Sequence, residues 1–470
     1  MKKEKGTFVN SIKSFFNSLK EGVTEFFTNF KNGDINTKLS YIIMGYGCLS
    51  RKQTGRGLLF LAVQIIFILF MITSGGYYLS MLPTLGVNQQ GRVWNEEYQI
   101  YQTVQGDNSM LLLLFGVVTI VVIILFFCLY VWNTRMAYEN QRLVEEGKPL
   151  STFKQDIKDL GNKNFHVTVL ALPVILTFCF TVLPLIFMIL MAFTNFDKNH
   201  QPPGNLFTWV GFKNFTQVFF TNPLWEQTFF RLLVWTLIWA AFATFLNYIF
   251  GMLLALIINK KGIKLKKMWR TIFIVTIAVP QFVSLMLMSK MLGQTGAVNN
   301  ILLELGWITE AIPFLTSANL ARVVVIVVNL WVGIPYSMLI TSGILMNIPA
   351  DLYEASRIDG ANPFQQFVHI TLPYMLFVTG PYLVTQFVGN INNFNVIFFL
   401  TGGGPTNDIK LFKAGETDLL ITWLYKLATG DGNYYNIASS LGIFIFIVCA
   451  FFSLIMYSKL GSVQNEEEFQ

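Results

Sequence analysis

The sequence predicts an all-α polytopic membrane protein with about eight transmembrane helices. Three observations predict it: composition, long uncharged apolar runs, and an uneven distribution of basic residues. Of the 470 residues, 53% are hydrophobic and only 13% charged, with 45 Phe and a mean hydropathy of +0.53; a soluble domain carries about a quarter charged residues. A bilayer core about 30 Å thick needs about 20 apolar residues per helical crossing. Runs of that kind without Asp, Glu, Lys or Arg cover roughly 57–79, 110–132, 167–193, 232–258, 271–289, 323–346, 374–400 and 437–457. A barrel would show short alternating segments rather than solid apolar blocks such as Met110 to Trp132. With the N-terminus placed inside, 24 Lys and Arg fall on the inner side and 7 in the outer loops. Because basic residues in short loops stay cytoplasmic, both termini are expected inside, in a multi-pass plasma-membrane protein. The net charge of +7 then reflects topology and contact with anionic membrane lipid, and no nucleic-acid partner is expected.

Along the chain, residues 1–56 form a polar cytoplasmic segment in which Phe8, Ile12, Phe15, Phe16, Leu19, Val23, Phe26, Phe27 and Phe30 recur at three- and four-residue steps. That spacing suits a helix on the membrane surface or one packed on the protein's own cytoplasmic face. The first apolar run starts near residue 57 and is long enough to span, so no cleavable leader is expected. Residues 57–132 make a two-helix extension whose outer loop holds Trp94 and several tyrosines; 133–166 form a cytoplasmic linker, 167–457 a six-helix core and 458–470 a cytoplasmic tail. In the core, Pro173, Pro184, Pro280, Pro335 and Pro381 are expected to interrupt helices, as transporters tolerate beside a cavity.

Several function classes are disfavoured. None of the eight runs contains a charged residue, unlike most proton- or voltage-coupled machines. No GxxxxGK[ST] phosphate loop occurs, including at the glycine-rich 402–410, so any pumping needs energy from a partner. Cys48, Cys128, Cys179 and Cys449 read as small core hydrophobes, and His166, His200 and His369 are scattered, so no metal site is expected. A membrane-embedded enzyme needs clustered acids, bases or metal ligands, and none are clustered.

The segment Pro349 to Pro373 predicts two short helices bent at Gly360 and closed by Pro373. By physics alone it is either a docking unit for a cytoplasmic protein or an ordinary structured loop. Its pattern EAxxxxGAxxxxxFxxIxLP, on Glu354, Ala355, Gly360, Ala361, Phe367, Ile370, Leu372 and Pro373, resembles the coupling loop of permeases in binding-protein-dependent ABC importers. The stretches NLWVGIPYSM (329–338), FVGNINNFNVIFFLTGGGPTN (387–407) and AGETDLLITWLYKLA (414–428) are similar to the maltose and maltodextrin permeases of that family. The loop from Thr194 to Phe230 is short, which suggests the compact Gram-positive type, lacking a large outer domain.

The resemblance implies a type I ABC importer core, with Glu354, Ala355, Asp359, Gly360, Ala361 and Pro373 coupling to the ATPase. It implies no cofactor in this chain, with ATP and Mg used by partners. Those partners are a second permease subunit, two cytoplasmic ABC ATPases and an extracellular solute-binding lipoprotein. A sugar needs donors, acceptors and aromatic faces, which amides and tyrosines supply without a buried charge. Asn329, Tyr336, Gln386, Asn390, Asn392 and Asn393 interrupt otherwise apolar runs, and either bind ligand or bond helix to helix. The resemblance assigns sugar contacts to Asn329, Gly333 and Tyr336 of helix six, and to Gln386, Gly389, Asn390 and Asn393 of helix seven. In helix five it points to Ile277 and Gln281, whose types differ from the family's pattern. Maltose or maltodextrin is the expected cargo, with another oligosaccharide as the alternative.

Overall fold

The computed structural model describes residues 2–260, 262–406, 414–430 and 432–460. Among these, seven single helices are long and apolar enough to cross a membrane, and a bent pair supplies an eighth crossing. Contacts divide the chain into two units, residues 1–190 with 199–209, and residues 191–198 with 210–470.

In the first unit, the opening helix Lys2–Asn32 reaches a bend at 33–53 and then the first span, Thr54–Met81. Phe26 packs on Tyr41 with ring centroids 4.9 Å apart, while Val23 and Phe27 remain exposed. This end of the helix thus rests on the protein and still presents an apolar edge. The side chains of Phe8, Ile12, Phe15, Phe16 and Leu19 lie outside the described part. The second span, Ser109–Glu145, outruns its apolar run because a stripe of amides clasps the bend. Gln141 Oε1 accepts from Asp34 N at 2.8 Å, Asn133 Oδ1 from Gly45 N at 2.8 Å, and Asn140 Nδ2 donates to Gln53 Oε1 at 2.7 Å. The predicted linker 133–166 therefore begins as helix. The outer loop is a departure from all-α: Gly91–Asn95 pairs antiparallel with Ile100–Val104, Trp94 opposite Tyr101. Backbone N–H groups of Asn88 and Val87 donate to Asp107 below the hairpin and hold its carboxyl below the usual range. Of the four free cysteines, Cys48 and Cys449 are buried, and burial pushes the Cys48 thiol up. Cys128 and Cys179 are exposed on apolar helices, which corrects their reading as core residues.

The third span, Phe165–Met191, contains a π-helical turn at Phe178–Val182, just before Pro184. The seventh, Pro363–Ile391, has the same arrangement at Phe367–Thr371, just before Pro373. A proline ring clashes with the carbonyl four residues back, and in both cases that carbonyl sits in the widened turn. The prolines are therefore absorbed rather than disruptive, with Pro173, Pro335 and Pro381 inside helices. Pro280 behaves as expected of a breaker. It is extended at ψ 124°, as is Val279 before it at ψ 126°, because the α conformation is disfavoured ahead of proline. The fifth span is thus two arms, Lys266–Ala278 and Gln281–Met291, bent by 86°.

The second unit is organised on the fourth span, Pro223–Asn259. Its Trp225, Phe229 and Leu232 pack with Trp423, Leu427 and Leu441 from the last two helices. A turn further, Trp235 and Trp239 pack with Leu285, Val325 and Ile397. Farther along, Tyr248 and Met252 meet Met375 and Leu383 of the seventh span. The sixth span is Ala318–Leu345, the seventh Pro363–Ile391, and the eighth Tyr435–Ser458. The seventh apolar run is not one helix to residue 400, because Asn393 Oδ1 accepts from Val396 N at 3.2 Å and starts a new helix, Phe394–Leu400.

Candidate functional site

Spans four to seven of the second unit surround a cavity of about 150 Å³. Asn329, Gly333 and Tyr336 border it from span six, Gln386 and Asn390 from span seven, Asn393 from the break that follows, and Gln281 from the bend of span five. The four- and three-residue steps place Asn329, Gly333 and Tyr336 on one face of span six, and the four-residue step does the same for Gln386 and Asn390 of span seven; Asn393 lies past the helix end and reaches the cavity from the N-cap of the next helix. Gly389 does not border the cavity, and Asn392 turns away, its Nδ2 donating to Val388 O at 3.2 Å and to Cys449 Sγ at 3.5 Å. Ile277 lines an adjoining space of about 340 Å³ with Pro280 and Trp331. The two spaces share Gln281, Val332, Gly333 and Tyr336. The 86° bend therefore makes room where a straight helix would fill it.

Thr244, Asn247 and Tyr248 of span four complete the cavity wall and were missed. A signal existed, since Asn247 is the one amide in the run 232–258. Some polar groups here are already engaged in packing. Asn390 Nδ2 donates to Thr244 Oγ1 at 3.0 Å, and its carbonyl accepts from Trp239 Nε1 at 3.1 Å. Asn393 Nδ2 donates to Asn390 Oδ1 at 3.3 Å. Tyr248 OH and Thr379 Oγ1 are 2.7 Å apart. Tyr336 is different: it is half exposed, with Tyr382 its ring neighbour at 6.4 Å. Two buried amide atoms of the wall, Asn247 Oδ1 and Asn329 Nδ2, have no hydrogen-bond partner among the described residues.

Between spans six and seven, the helix Ala350–Ile358 carries Glu354 and Ala355 on its exposed surface. It ends in a Schellman turn: Ala361 N donates to Ser356 O at 2.9 Å and Gly360 N to Arg357 O at 3.1 Å. Gly360 has φ +81°, the left-handed conformation that glycine adopts freely. Asn362 then opens the next helix with a reciprocal cap, its Oδ1 accepting from Gln365 N at 2.9 Å and its N donating to Gln365 Oε1 at 2.8 Å. That helix is not a second short one closed by Pro373, as expected, but runs on as span seven to Ile391. Gln366 Nε2 donates to Ser356 Oγ at 2.8 Å, and Tyr353 OH and Thr371 Oγ1 lie 2.9 Å apart, so the short helix is braced on the long one. Leu352, Ile358 and Phe364 are left exposed on the braced loop.

A charged cluster at the N-terminal ends of spans four and six was also missed. Arg231 and Arg322, at the edges of the apolar runs, both pair with buried Glu416, at 2.5 and 2.9 Å. Arg322 also lies 5.0 Å over the Trp235 ring. Removing one partner of a buried charge network is costly. Glu416→Ala is expected to destabilise the chain by about 1.5 to 3 kcal/mol, toward the lower end because the Arg231 side chain is half exposed. Thermal unfolding in detergent checks it, and an unchanged midpoint would refute the cluster's structural weight.

Comparison with known proteins places this architecture. Residues 247–462 match the family described as binding-protein-dependent transport system inner membrane component. The galactooligosaccharides transport system permease protein GanP of Bacillus subtilis is 34% identical over 90% of this chain and 97% of its own length. The chain belongs to this permease family. The maltodextrin transport system permease proteins MdxF of Bacillus subtilis and MalC of Streptococcus pneumoniae are 35% and 34% identical, each over 91% of this chain and over 95% and 96% of their lengths. In solved structures, a bacterial ABC transporter involved in the import of the acidic polysaccharide alginate shares the fold. It superposes with a TM-score of 0.51 at 24% identity, covering 67% of this chain and 100% of that one. The permease is therefore a multi-pass inner-membrane component of a binding-protein-dependent transport system. It is not an enzyme, and ATP hydrolysis resides in partner ATPases.

Proposed function

We propose that this permease moves maltose or maltodextrins into the cell by alternating access. The observation that carries the reading is the cavity on spans four to seven, whose amides and tyrosines offer donors, acceptors and ring faces without a buried charge. The maltodextrin permeases MdxF and MalC support the cargo, and GanP favours galactooligosaccharides as the second reading. In this proposal Asn329, Gly333, Tyr336, Gln386, Asn390, Asn393 and Gln281 line the sugar path. The loop 349–373 seats Glu354, Ala355, Asp359, Gly360 and Ala361 against one of two cytoplasmic ATPases, which use ATP and Mg. Its exposed Leu352, Ile358 and Phe364 suit a groove on such a partner. A second permease and an extracellular solute-binding lipoprotein complete the machine. Differential binding of the loop to two ATPase states rocks the helices. Sugar-stimulated ATP hydrolysis by the reconstituted complex, across α-glucan and galactose oligomers, tests the cargo; stimulation by neither series would overturn it.

In the same proposal both termini are cytoplasmic, and residues 167–457 form the importer core. Cysteines replacing exposed Glu97 and Gln294 are expected to react with an impermeant reagent added outside, while ones replacing exposed Lys148 and Asn362 stay unlabelled. Asn140 is unsuitable as an inner probe because it is buried, and Asp408 lies outside the described residues. A reversed label at any of the four sites would break the topology.

A further inference from the structure

The two unpaired amide atoms of the cavity wall point to a specific ligand chemistry. Native interiors leave few buried polar side-chain atoms unpaired, and each such atom asks for an explanation. Asn329 is 95% buried, with 5% of its surface exposed, yet its Nδ2 has no partner among the described residues, and neither has Asn247 Oδ1. Both residues line the same cavity. The orientation of the Asn247 amide is set by the preceding turn of its helix, because its Nδ2 donates to Ala243 O at 2.7 Å, leaving the oxygen as an open acceptor.

Gly333 explains how the acceptor comes to face span six. A Cβ at that position would lie 2.4 Å from Asn247 Nδ2 and 2.8 Å from Oδ1, so only glycine lets the amide lie flush against the helix. Asn329 sits one turn, about 5.4 Å, from Gly333 on the same face. A hydroxyl can accept from Asn329 Nδ2 and donate to Asn247 Oδ1 at once, which an anionic oxygen cannot do.

We propose that Asn247 and Asn329 form an acceptor–donor clamp for a single uncharged hydroxyl of the sugar, and that this clamp makes the permease select neutral over acidic saccharides. The proposal rests on the reading of this cavity as the sugar path. A carboxylate at the same place would face a buried amide oxygen, and none of the residues bordering the cavity carries a cation to offset it. The clamp uses a residue of span four, so it also ties sugar binding to the helix on which the second unit is packed.

The test uses the full importer, this chain with its partner subunits in lipid vesicles, and measures uptake of maltotriose, of a galactose trisaccharide and of a trisaccharide of uronic acids. The neutral sugar that is the cargo is expected to enter and the uronate not. Asn247→Ala and the smaller change Asn247→Ser are expected to raise the half-saturating sugar concentration about ten- to hundredfold, the loss of one buried hydrogen bond. Monodeoxy and deoxyfluoro analogues of that cargo supply a readout on the wild-type complex, which needs no variant to fold. One position is expected to lose uptake in both forms, because fluorine cannot donate; in Asn247→Ser the deoxyfluoro penalty is expected to shrink, and the deoxy penalty to fall to the share owed to Asn329. If every position tolerates both changes, or the penalty persists undiminished in the variant, the clamp is overturned. If Tyr336→Ala raises half-saturation while both Asn247 variants leave it unchanged, the clamp falls and the sugar path stands. If neutral and acidic sugars enter equally, the selectivity is overturned. If Tyr336→Ala and the Asn247 variants are all without effect, the sugar path itself fails.

Discussion

Gly360→Val is expected to abolish sugar uptake and loosen the ATPases from the permease while the chain still inserts. Gly360 is at φ +81°, and a Cβ there would meet nothing within 4 Å, so crowding is not the difficulty. The backbone is: a side chain in the left-handed region costs about 1 to 2 kcal/mol, more for a β-branched one. That amount does not unfold eight packed crossings, but it is enough to open a Schellman turn held by the two hydrogen bonds from Ala361 N and Gly360 N. Opening the turn re-aims Ala350–Ile358, with Glu354, relative to span seven. Gly360→Asn is the milder comparison, since Asn tolerates the conformation, and it is expected to retain partial uptake. Uptake, ATPase co-purification and membrane yield on the same preparations check the expectation. Normal uptake by Gly360→Val would sink the coupling assignment.

Tyr336→Ala and Asn390→Ala are expected to weaken sugar-dependent transport about ten- to hundredfold, the cost of about 1 to 3 kcal/mol for losing one partner of a buried hydrogen bond. The two variants ask different questions. Asn390 already bonds Thr244 and Asn393, so its loss also loosens span four from span seven. Tyr336 is half exposed and borders both adjoining spaces, so its removal reports on ligand more cleanly. Recovery of the assembled complex and competition by a panel of sugars, measured together, separate the effects. If Tyr336→Ala leaves competition unchanged, the binding role of this face is refuted. Poor assembly of Asn390→Ala with unaltered competition would assign that amide to helix bonding alone.

What was legible in the sequence was what depends on neighbours a few residues away. Transfer of apolar side chains into lipid adds along a helix, so all eight crossings stand out as uncharged runs. The turn at Gly360 was legible because a Schellman cap and the Asn362 cap are built within a dozen residues. The family was legible from the same loop. The polar stripe was partly legible: seven of the nine residues to which the resemblance pointed border a common cavity, Ile277 lines the adjoining space, and Gly389 borders neither.

The rest was decided by contacts far apart in the chain. Nothing local distinguishes Pro280, which bends span five by 86°, from Pro335 or Pro381, which remain inside helices; surrounding packing selects between absorbing a proline and breaking at it. The hairpin at 91–104 exists through cross-strand pairs, and the helical start of the linker through amides that reach residues 34–53. Glu416 finds Arg231 at 185 positions' remove, and Asn247 lies flush against span six because Gly333 carries no side chain there. A charge or amide in an apolar chain must find a partner, since burying it alone costs several kcal/mol. The sequence states that need residue by residue, and only the packed helices determine which distant group meets it.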